Sequence, residues 1–366
     1  VETLPIREEL VVPLRRALAG EAAEWPALTD DDARALASHG AGPLVYSIAR
    51  VPRLRDQAMQ AAAVEPMRLE DLRTVLAALA SRGVDALLMK GTPLAYDLYP
   101  APDLRPRGDT DLLIRHESID AVRAAMLALG FEERITSGDE HAIRQVTFSR
   151  RDSFGVDHAY DVHWNIANRA LLADTLRFDE LRARAVNVPA ISPQAMAFCD
   201  VDALLLACVH RTAHHHDSDR LIWLVDIALL RDRMSRAEHE EFWRLAAARR
   251  VVGVCMRSIE LADEWCSRAA RHGAEEFLTR DEIARDEPSR VYLDRNISYG
   301  RTMLADFRAL PWRARVRRVW QLALPPAEFM RQRFHARSRF ALPWLYVYRG
   351  GRGIVRLFRL FRRVRA

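Results

Sequence analysis

Asp109 and Asp111 stand two residues apart in DTDLLI, a run whose apolar second half reads as a strand. Side chains at i and i+2 of a strand share one face. Two carboxylates side by side repel each other and are costly to bury unless a cation lies between them. Such hard oxygen donors suit Mg²⁺ or Mn²⁺. Asp161, in YDVHW, lies in a second strand-like run and supplies a third carboxylate if that strand lies beside the first. Three acids around divalent ions suit phosphoryl or nucleotidyl transfer, in which the metal neutralises phosphate charge and lowers the pKa of an attacking hydroxyl.

The residues leading into this pair fit the same chemistry. Lys90, Gly91 and Thr92 follow the short apolar run Val84–Met89 and precede a helical stretch. Glycine permits close backbone approach, and a hydroxyl with helix-start amides can receive a phosphate. Lys90 is the only lysine among 55 basic residues and would add a point charge there. Arg105 and Arg107, in a proline-rich loop, can each grip phosphate oxygens bidentately. His163 shares the strand face of Asp161 and can orient that carboxylate or touch the acceptor. His210 and His214 are i and i+4 on one helical face. Without an HExxH motif or a third ligand, lining the nucleotide or acceptor cleft is the better expectation for them than zinc. Asp226, inside the apolar IWLVDIALL, needs a basic partner, and Arg211 or Arg220 is the expected one. The Walker A, GxGxxG and kinase HRD/DFG patterns are absent.

The elements that must position these residues follow from periodicity and capping signals. Residues 1–82 read as helices ending at glycines, the clearest being Leu69–Gly83. A strand at Val84–Met89, a helix from Pro93, a loop through Arg107, a strand at Asp109–Ile114 and a helix capped by Ser118 come next. Then IRQVTFSR and SFGVDHAYDVHW pair as a hairpin bent at Arg150–Ser153. Ser192-Pro193 is expected to open a long helix through the histidines, and further helices follow. The expected division is an N-terminal helical region 1–82, a core 83–190 with a small mixed sheet, a helical domain 191–311 and a basic extension 312–366.

Composition sets the frame. The chain has 366 residues, 49% hydrophobic and 29% charged, which suits a folded protein of two or three domains and excludes global disorder. Cys199, Cys208, Cys255 and Cys266 form no CxxC pair and read as buried thiols in a reducing compartment. With no export signal and no spanning run, a cytoplasmic location is expected. Residues 312–366 hold 15 Arg and one acid, Glu328, a net +14 against +5 for the whole chain, which leaves −9 elsewhere. In residues 352–366, Ile354, Leu357, Phe358 and Phe361 recur at helical spacing among arginines. Packing on the acidic body is the default for this segment, and peripheral membrane or protein contact is the alternative. Nothing indicates sequence-specific nucleic-acid reading.

The segment LLMKGTPLAYDLYPAPDLRPRGDTDLLI resembles the signature of the nucleotidyltransferase superfamily built on the polymerase-beta-type core. There a Gly-Ser turn precedes a DxD or DxE pair and a third acid follows on a later strand. Gly91-Thr92 matches the turn, Asp109 and Asp111 the pair, and Asp161 the third acid. The Lys-Gly opening, the Arg before the pair, the DxHW element (Asp161, His163, Trp164) and the later His-rich helix resemble, more narrowly, a little-characterised bacterial nucleotidyltransferase-like family. Its members often occur in peptide natural-product or capsule gene clusters. The likeness covers most of residues 60–350. Thr92 departs from the commoner Ser but keeps the hydroxyl, and Thr110 stands where an apolar residue is usual.

The resemblance implies an α+β fold: a polymerase-beta-type nucleotidyltransferase core with N-terminal helices and a C-terminal helical domain. It implies Asp109, Asp111 and Asp161 as catalytic metal ligands for Mg²⁺ or Mn²⁺. Lys90, Gly91, Thr92, Arg105, Arg107, His163, His210 and His214 would line the nucleotide site. The implied reaction moves an NMP from an NTP, with ATP the expected donor, to a hydroxyl of a small molecule or peptide. A non-catalytic nucleotide-binding scaffold and a protein-modifying NMP transferase are the alternatives.

Overall fold

The computed structural model describes residues 3–134, 145–167, 169–173, 175–213, 217–266, 272–294, 297 and 299–324, and beyond these 327, 330, 331, 334, 340 and 342–351. Residues 352–366, with the arginine-rich amphipathic stretch, and His214 lie outside the described residues.

The described elements run in the order α1 (Glu8–Leu18), α2 (Asp30–Ser38), α3 (Gly42–Ala49), α4 (Arg55–Ala80), β1 (Ala86–Met89), α5 (Gly91–Asp97), β2 (Thr110–Ile114), α6 (Ile119–Ala128), β3 (Glu132–Arg134), β4 (Gln145–Arg151), β5 (Asp157–His163), α7 (Phe178–Arg184), β6 (Val186–Asn187) and β7 (Met196–Ala197). Then come α8 (Asp200–Ala213), α9 (Leu221–Arg233), α10 (Arg236–Ala248), α11 (Val252–Cys266), α12 (Ala274–Phe277), α13 (Arg280–Ala284), α14 (Tyr299–Ala309) and α15 (Trp312–Ala323). The architecture is α+β, as expected: a mixed sheet of order β3-β4-β5-β2-β1-β7-β6 amid helices.

Strand β2 is buried along its whole length and divides two cores. Leu112 and Ile114 point to the face where Leu72, Val75, Leu76 and Leu79 of α4 pack with Val122 and Met126 of α6. Leu113 points to the opposite face, toward α8, α9 and α11. By the two-residue period, Asp111 shares the side of Leu113. Tyr160 and Val162 face the α4/α6 core, so Asp161 and His163 face the helical side as well. Helices α1–α3 form a third core with Leu221 of α9. Cys208, Cys255 and Cys266 are buried free thiols and Cys199 is half-buried.

Three local readings are corrected. Helix α4 begins at Arg55, not near Leu69, and runs through Pro66. A mid-helix proline reads as a break because it removes one ladder hydrogen bond, yet the helix continues and brings buried Glu65 to Arg107 and Tyr96. Ser192-Pro193 does not open a helix. Residues 188–195 form the turn of a β6–β7 hairpin, with Val188 N donating to Ala195 O at 2.8 Å, and α8 starts at Asp200. The buried Ser192 hydroxyl has no partner among the described residues. The β4–β5 turn falls at Asp152–Val156 rather than Arg150–Ser153. The Asp152 carboxylate accepts from Phe154 N and Val156 N at 2.9 Å each, and Gly155 takes φ +81°.

Candidate active site

Strand pairing alone builds one row of this site. β2 runs antiparallel to β1 and parallel to β5, and β5 runs antiparallel to β4. The register puts Met89 opposite Asp111, Asp111 opposite Asp161 and Asp161 opposite Thr147. The next row holds Leu113, His163 and Gln145. Directly opposed residues share a sheet face, so Asp111, Asp161, Thr147, His163 and Gln145 converge on the side covered by α8 and α9.

The carboxylates differ in their partners. Asp111 Oδ1 accepts from Lys90 Nζ at 2.5 Å and faces His163 Nε2 at 2.9 Å. Burial would raise the Asp111 pKa, but the Lys90 charge and the His163 hydrogen bond hold it well below the usual carboxylate range. Burial, then the charge of Lys90, pushes the His163 pKa down. A neutral ring donating Nε2–H to Asp111 leaves Nδ1 as an acceptor. Asp161 accepts from Thr147 Oγ1 at 2.6 Å and from Gln145 Nε2 at 3.1 Å. Asp109 is open to water, but only within a concave cavity. Desolvation there, then the charges of Asp111 and Asp161, pushes its pKa up to about 6. The cluster thus carries more negative charge than Lys90 balances.

Ligand atoms of Asp111, Asp161 and His163 lie within 4.8 Å of one another. Two carboxylates and an imidazole at this spacing, with surplus negative charge beside them, fit a divalent cation. Asp109 lines the same cavity but stands outside this compact set, and His163 stands inside it.

The turn before α5 is shaped by a close approach. Lys90 takes φ +59°, a sparsely populated conformation for a non-glycine residue. A Cβ on Gly91 would lie 2.7 Å from Arg105 Cζ, so only glycine admits the guanidinium there. Gly91→Ala is expected to destabilise the fold by about 1–3 kcal/mol through this overlap, measured as a lower denaturant midpoint. Thr92 does not face the cavity: it is buried, and its hydroxyl lies 3.3 Å from Thr110 Oγ1.

Arg105 and Arg107, expected as phosphate grips, are committed elsewhere. Arg105 donates Nε to Asp226 Oδ1 at 2.8 Å and Nη2 to Oδ2 at 2.5 Å, and Tyr99 Oη donates to the same Oδ1 at 2.8 Å. The partner of Asp226 is therefore Arg105, not Arg211 or Arg220. Arg211 pairs with Asp217 at 2.6 Å. Arg107 pairs with buried Glu65, which also accepts from Tyr96 Oη at 2.6 Å. Nε and Nη2 of Arg107 are buried without a partner among the described residues.

A cavity of about 430 Å³ opens above the acidic row, between the sheet and helices α8 and α9. Lys90, Gly91, Arg105, Arg107, Asp109, Asp111 and Asp161 line one side, with apolar Val186, Val188, Phe198 and Leu206 also in the wall. His210 reaches it from α8, its ring 5.6 Å from Trp223 in an edge contact. Sequence reading missed Arg220 as a cavity residue. Its guanidinium lies over the Trp223 ring, 4.9 Å from the centroid, lines the cavity and makes no ion pair among the described residues. Burial, then the neighbouring Arg105 charge, disfavours that charge. No sequence motif marks Arg220, because its place depends on how α9 docks against the sheet. Thr147 and Gln145 were also missed, although period-two alternation along β4 puts them on the face of Asp161 once the hairpin register is known.

A search of curated proteins finds no match. The profile of a family described as uncharacterised nucleotidyltransferase matches residues 33–267, well over half of the chain. That span runs from α2 to the end of α11 and includes the acidic row, the turn at Lys90 and the helices that roof the cavity. With Asp111 and Asp161 set side by side on neighbouring strands as nucleotidyl transfer needs, the chain belongs to this nucleotidyltransferase family.

Proposed function

We propose that this protein transfers an NMP from an NTP to a hydroxyl of a small molecule or peptide, releasing pyrophosphate. The observation that carries this reading is the placement of Asp111 and Asp161 across one strand pair at the floor of a cavity of about 430 Å³, a volume suited to a small-molecule site. Asp111, Asp161 and His163 would hold a divalent cation, Mg²⁺ or Mn²⁺, with Asp109 beside them. When bound, such an ion neutralises phosphate charge and makes a hydroxyl more acidic.

The chain's own residues supply the rest. Asp161 is held by Thr147 and Gln145 and takes the proton of the acceptor hydroxyl. The acceptor oxygen then bonds to the α-phosphorus, the bond from that phosphorus to the α,β-bridging oxygen breaks, and pyrophosphate leaves with the electron pair. Arg220, stacked on Trp223 and without an acid partner among the described residues, binds the β- and γ-phosphates. Lys90 and His163 hold Asp111 in its ionised form. The apolar wall at Val188, Phe198 and Leu206 receives the base or the acceptor. A scaffold without chemistry is disfavoured, because Asp161 converges with Asp111 instead of pointing away.

Pyrophosphate release from ATP, GTP, CTP and UTP with Mg²⁺ or Mn²⁺ tests this reading against a panel of hydroxylated small molecules, peptides and proteins. Release that depends on one acceptor class supports it and separates small-molecule from protein modification. Metal-independent release, or release unchanged in Asp111→Asn, counts against it. Arg220→Ala is expected to weaken NTP binding by about 10–100-fold, the value of one or two charge-assisted hydrogen bonds. Thermal stability should stay close to the parent, since Arg220 makes no ion pair to lose among the described residues.

A further inference from the structure

Two helical segments near the C-terminal end present the same pattern of exposed apolar residues. On α15, Trp312, Val316, Val319 and Trp320 are exposed, Trp312 at 69%. In and just before the helix at 342–351, Phe340, Trp344, Val347 and Tyr348 are exposed, Trp344 at 78%. The α15 set follows the spacing i, i+4, i+7, i+8, and Trp344, Val347 and Tyr348 follow i, i+3, i+4, which gathers each set into one stripe on its helix. Leu324, just past the end of α15, is exposed as well. Trp and aliphatic side chains gathered on an exposed helix face are the composition of an interaction surface; within it the Tyr348 ring also meets Phe334 at 6.0 Å.

The charges around the stripes indicate the contact's nature. Residues 312–366 carry 15 Arg and one acid, Glu328. Arg313 and Arg317 are exposed on α15 away from the centre of its stripe, and Arg313 lies over the Trp312 ring at 5.4 Å. Arg315 donates Nε to Leu310 O at 2.7 Å, which ties the start of the helix to the preceding turn. A basic helix with Trp and aliphatic residues along one side lies in the plane of a membrane interface. Trp and Tyr favour the headgroup level, and arginine reaches lipid phosphates while its stem stays on apolar surface. Among the described residues, no helix is long and apolar enough to cross a membrane. Bases stack on aromatic rings, whereas the aliphatic Val316, Val319 and Val347 fill out these stripes, which suits insertion among acyl chains.

We propose that α15 and the helix at 342–351 seat this protein on an anionic lipid surface, with Trp312, Trp320, Trp344 and Tyr348 at the headgroup level and the arginines on lipid phosphates. The contact depends on apolar insertion and on charge together, and it is separate from the nucleotide cavity.

The full chain is sedimented with phosphatidylcholine vesicles with and without about one-third phosphatidylglycerol. Binding is expected to require the anionic lipid and to weaken by at least about tenfold between roughly 0.1 and 0.5 M salt. The double variant Trp312→Ser with Trp320→Ser removes two exposed rings and leaves the core intact. It should lose at least about tenfold in vesicle affinity, while its NTP affinity by calorimetry stays at the parent value. Equal binding to neutral and anionic vesicles, undiminished binding by the double variant, or binding to single-stranded RNA without binding to vesicles would overturn the proposal.

Discussion

Asp161→Asn is expected to abolish nucleotidyl transfer while leaving the fold as stable as the parent. The asparagine Oδ1 can still accept from Thr147 Oγ1, which now donates to Asp161 Oδ1 at 2.6 Å. The new amide can donate to Gln145 once that side chain turns its oxygen inward, because Gln carries a donor and an acceptor on one terminus. What disappears is one negative charge opposite Asp111 and the group proposed as base for the acceptor hydroxyl. Loss of a group that binds a divalent ion and stabilises developing charge corresponds to about 4 kcal/mol or more, or about 10³-fold in rate. The unfolding free energy from denaturant titration should stay within about 0.5 kcal/mol of the parent. Equal loss of activity and stability would instead make Asp161 a structural residue. Thr147→Val provides the graded control: Asp161 keeps its charge but loses one hydrogen bond that fixes it, and a loss of about 10–100-fold is expected.

The second large effect lies at the buried Arg105–Asp226 pair. Asp226 is 3% exposed and Arg105 5%, and they join the loop before β2 to the middle of α9 through three hydrogen bonds, with Tyr99 completing the set. Burial alone would weaken the positive charge of Arg105, and Asp226 reverses that effect. Asp226→Ala would leave Arg105 buried without its acid, which typically costs about 3–5 kcal/mol. A matching drop in unfolding free energy is expected from denaturant titration. Replacing both partners with apolar residues, Arg105→Met with Asp226→Leu, should recover much of that stability, because no charge is then stranded. Nucleotide binding should recover less, since the loop carrying Arg107 and Asp109 would lose its anchor to the helical roof.

The acidic row was legible from sequence because strand geometry is local. Period two places Asp109 with Asp111, and the DVHW run marks a second strand with its own acid. The parallel register that sets Asp161 beside Asp111 required the two strands to be neighbours, a condition the sequence left open. The arginines line the cavity, but their side-chain partners were not legible. Arg105 and Arg107 stand near the acids in a loop, so proximity suggested phosphate contacts, whereas their partners are Asp226 on α9 and Glu65 on α4. An arginine's partner depends on tertiary packing, and a buried acid far along the chain competes better than a ligand that comes and goes. Glu65 was hidden for a related reason: Pro66 suggested a helix break at the point where α4 continues. In the sequence Arg220 reads only as a candidate partner for Asp226. Once Arg105 takes that place, Arg220 stands at the cavity on the Trp223 ring.

Calorimetric titration of each NTP into the parent chain, Asp161→Asn and Arg220→Ala, with Mg²⁺ or Mn²⁺ and with neither, tests the nucleotide site most directly. The expected result is binding of a nucleotide to the parent that requires the metal, vanishes in Asp161→Asn and weakens by about 10–100-fold in Arg220→Ala. Binding of the same strength without metal, or in Asp161→Asn with metal, would contradict a metal-dependent nucleotide site at the acidic row.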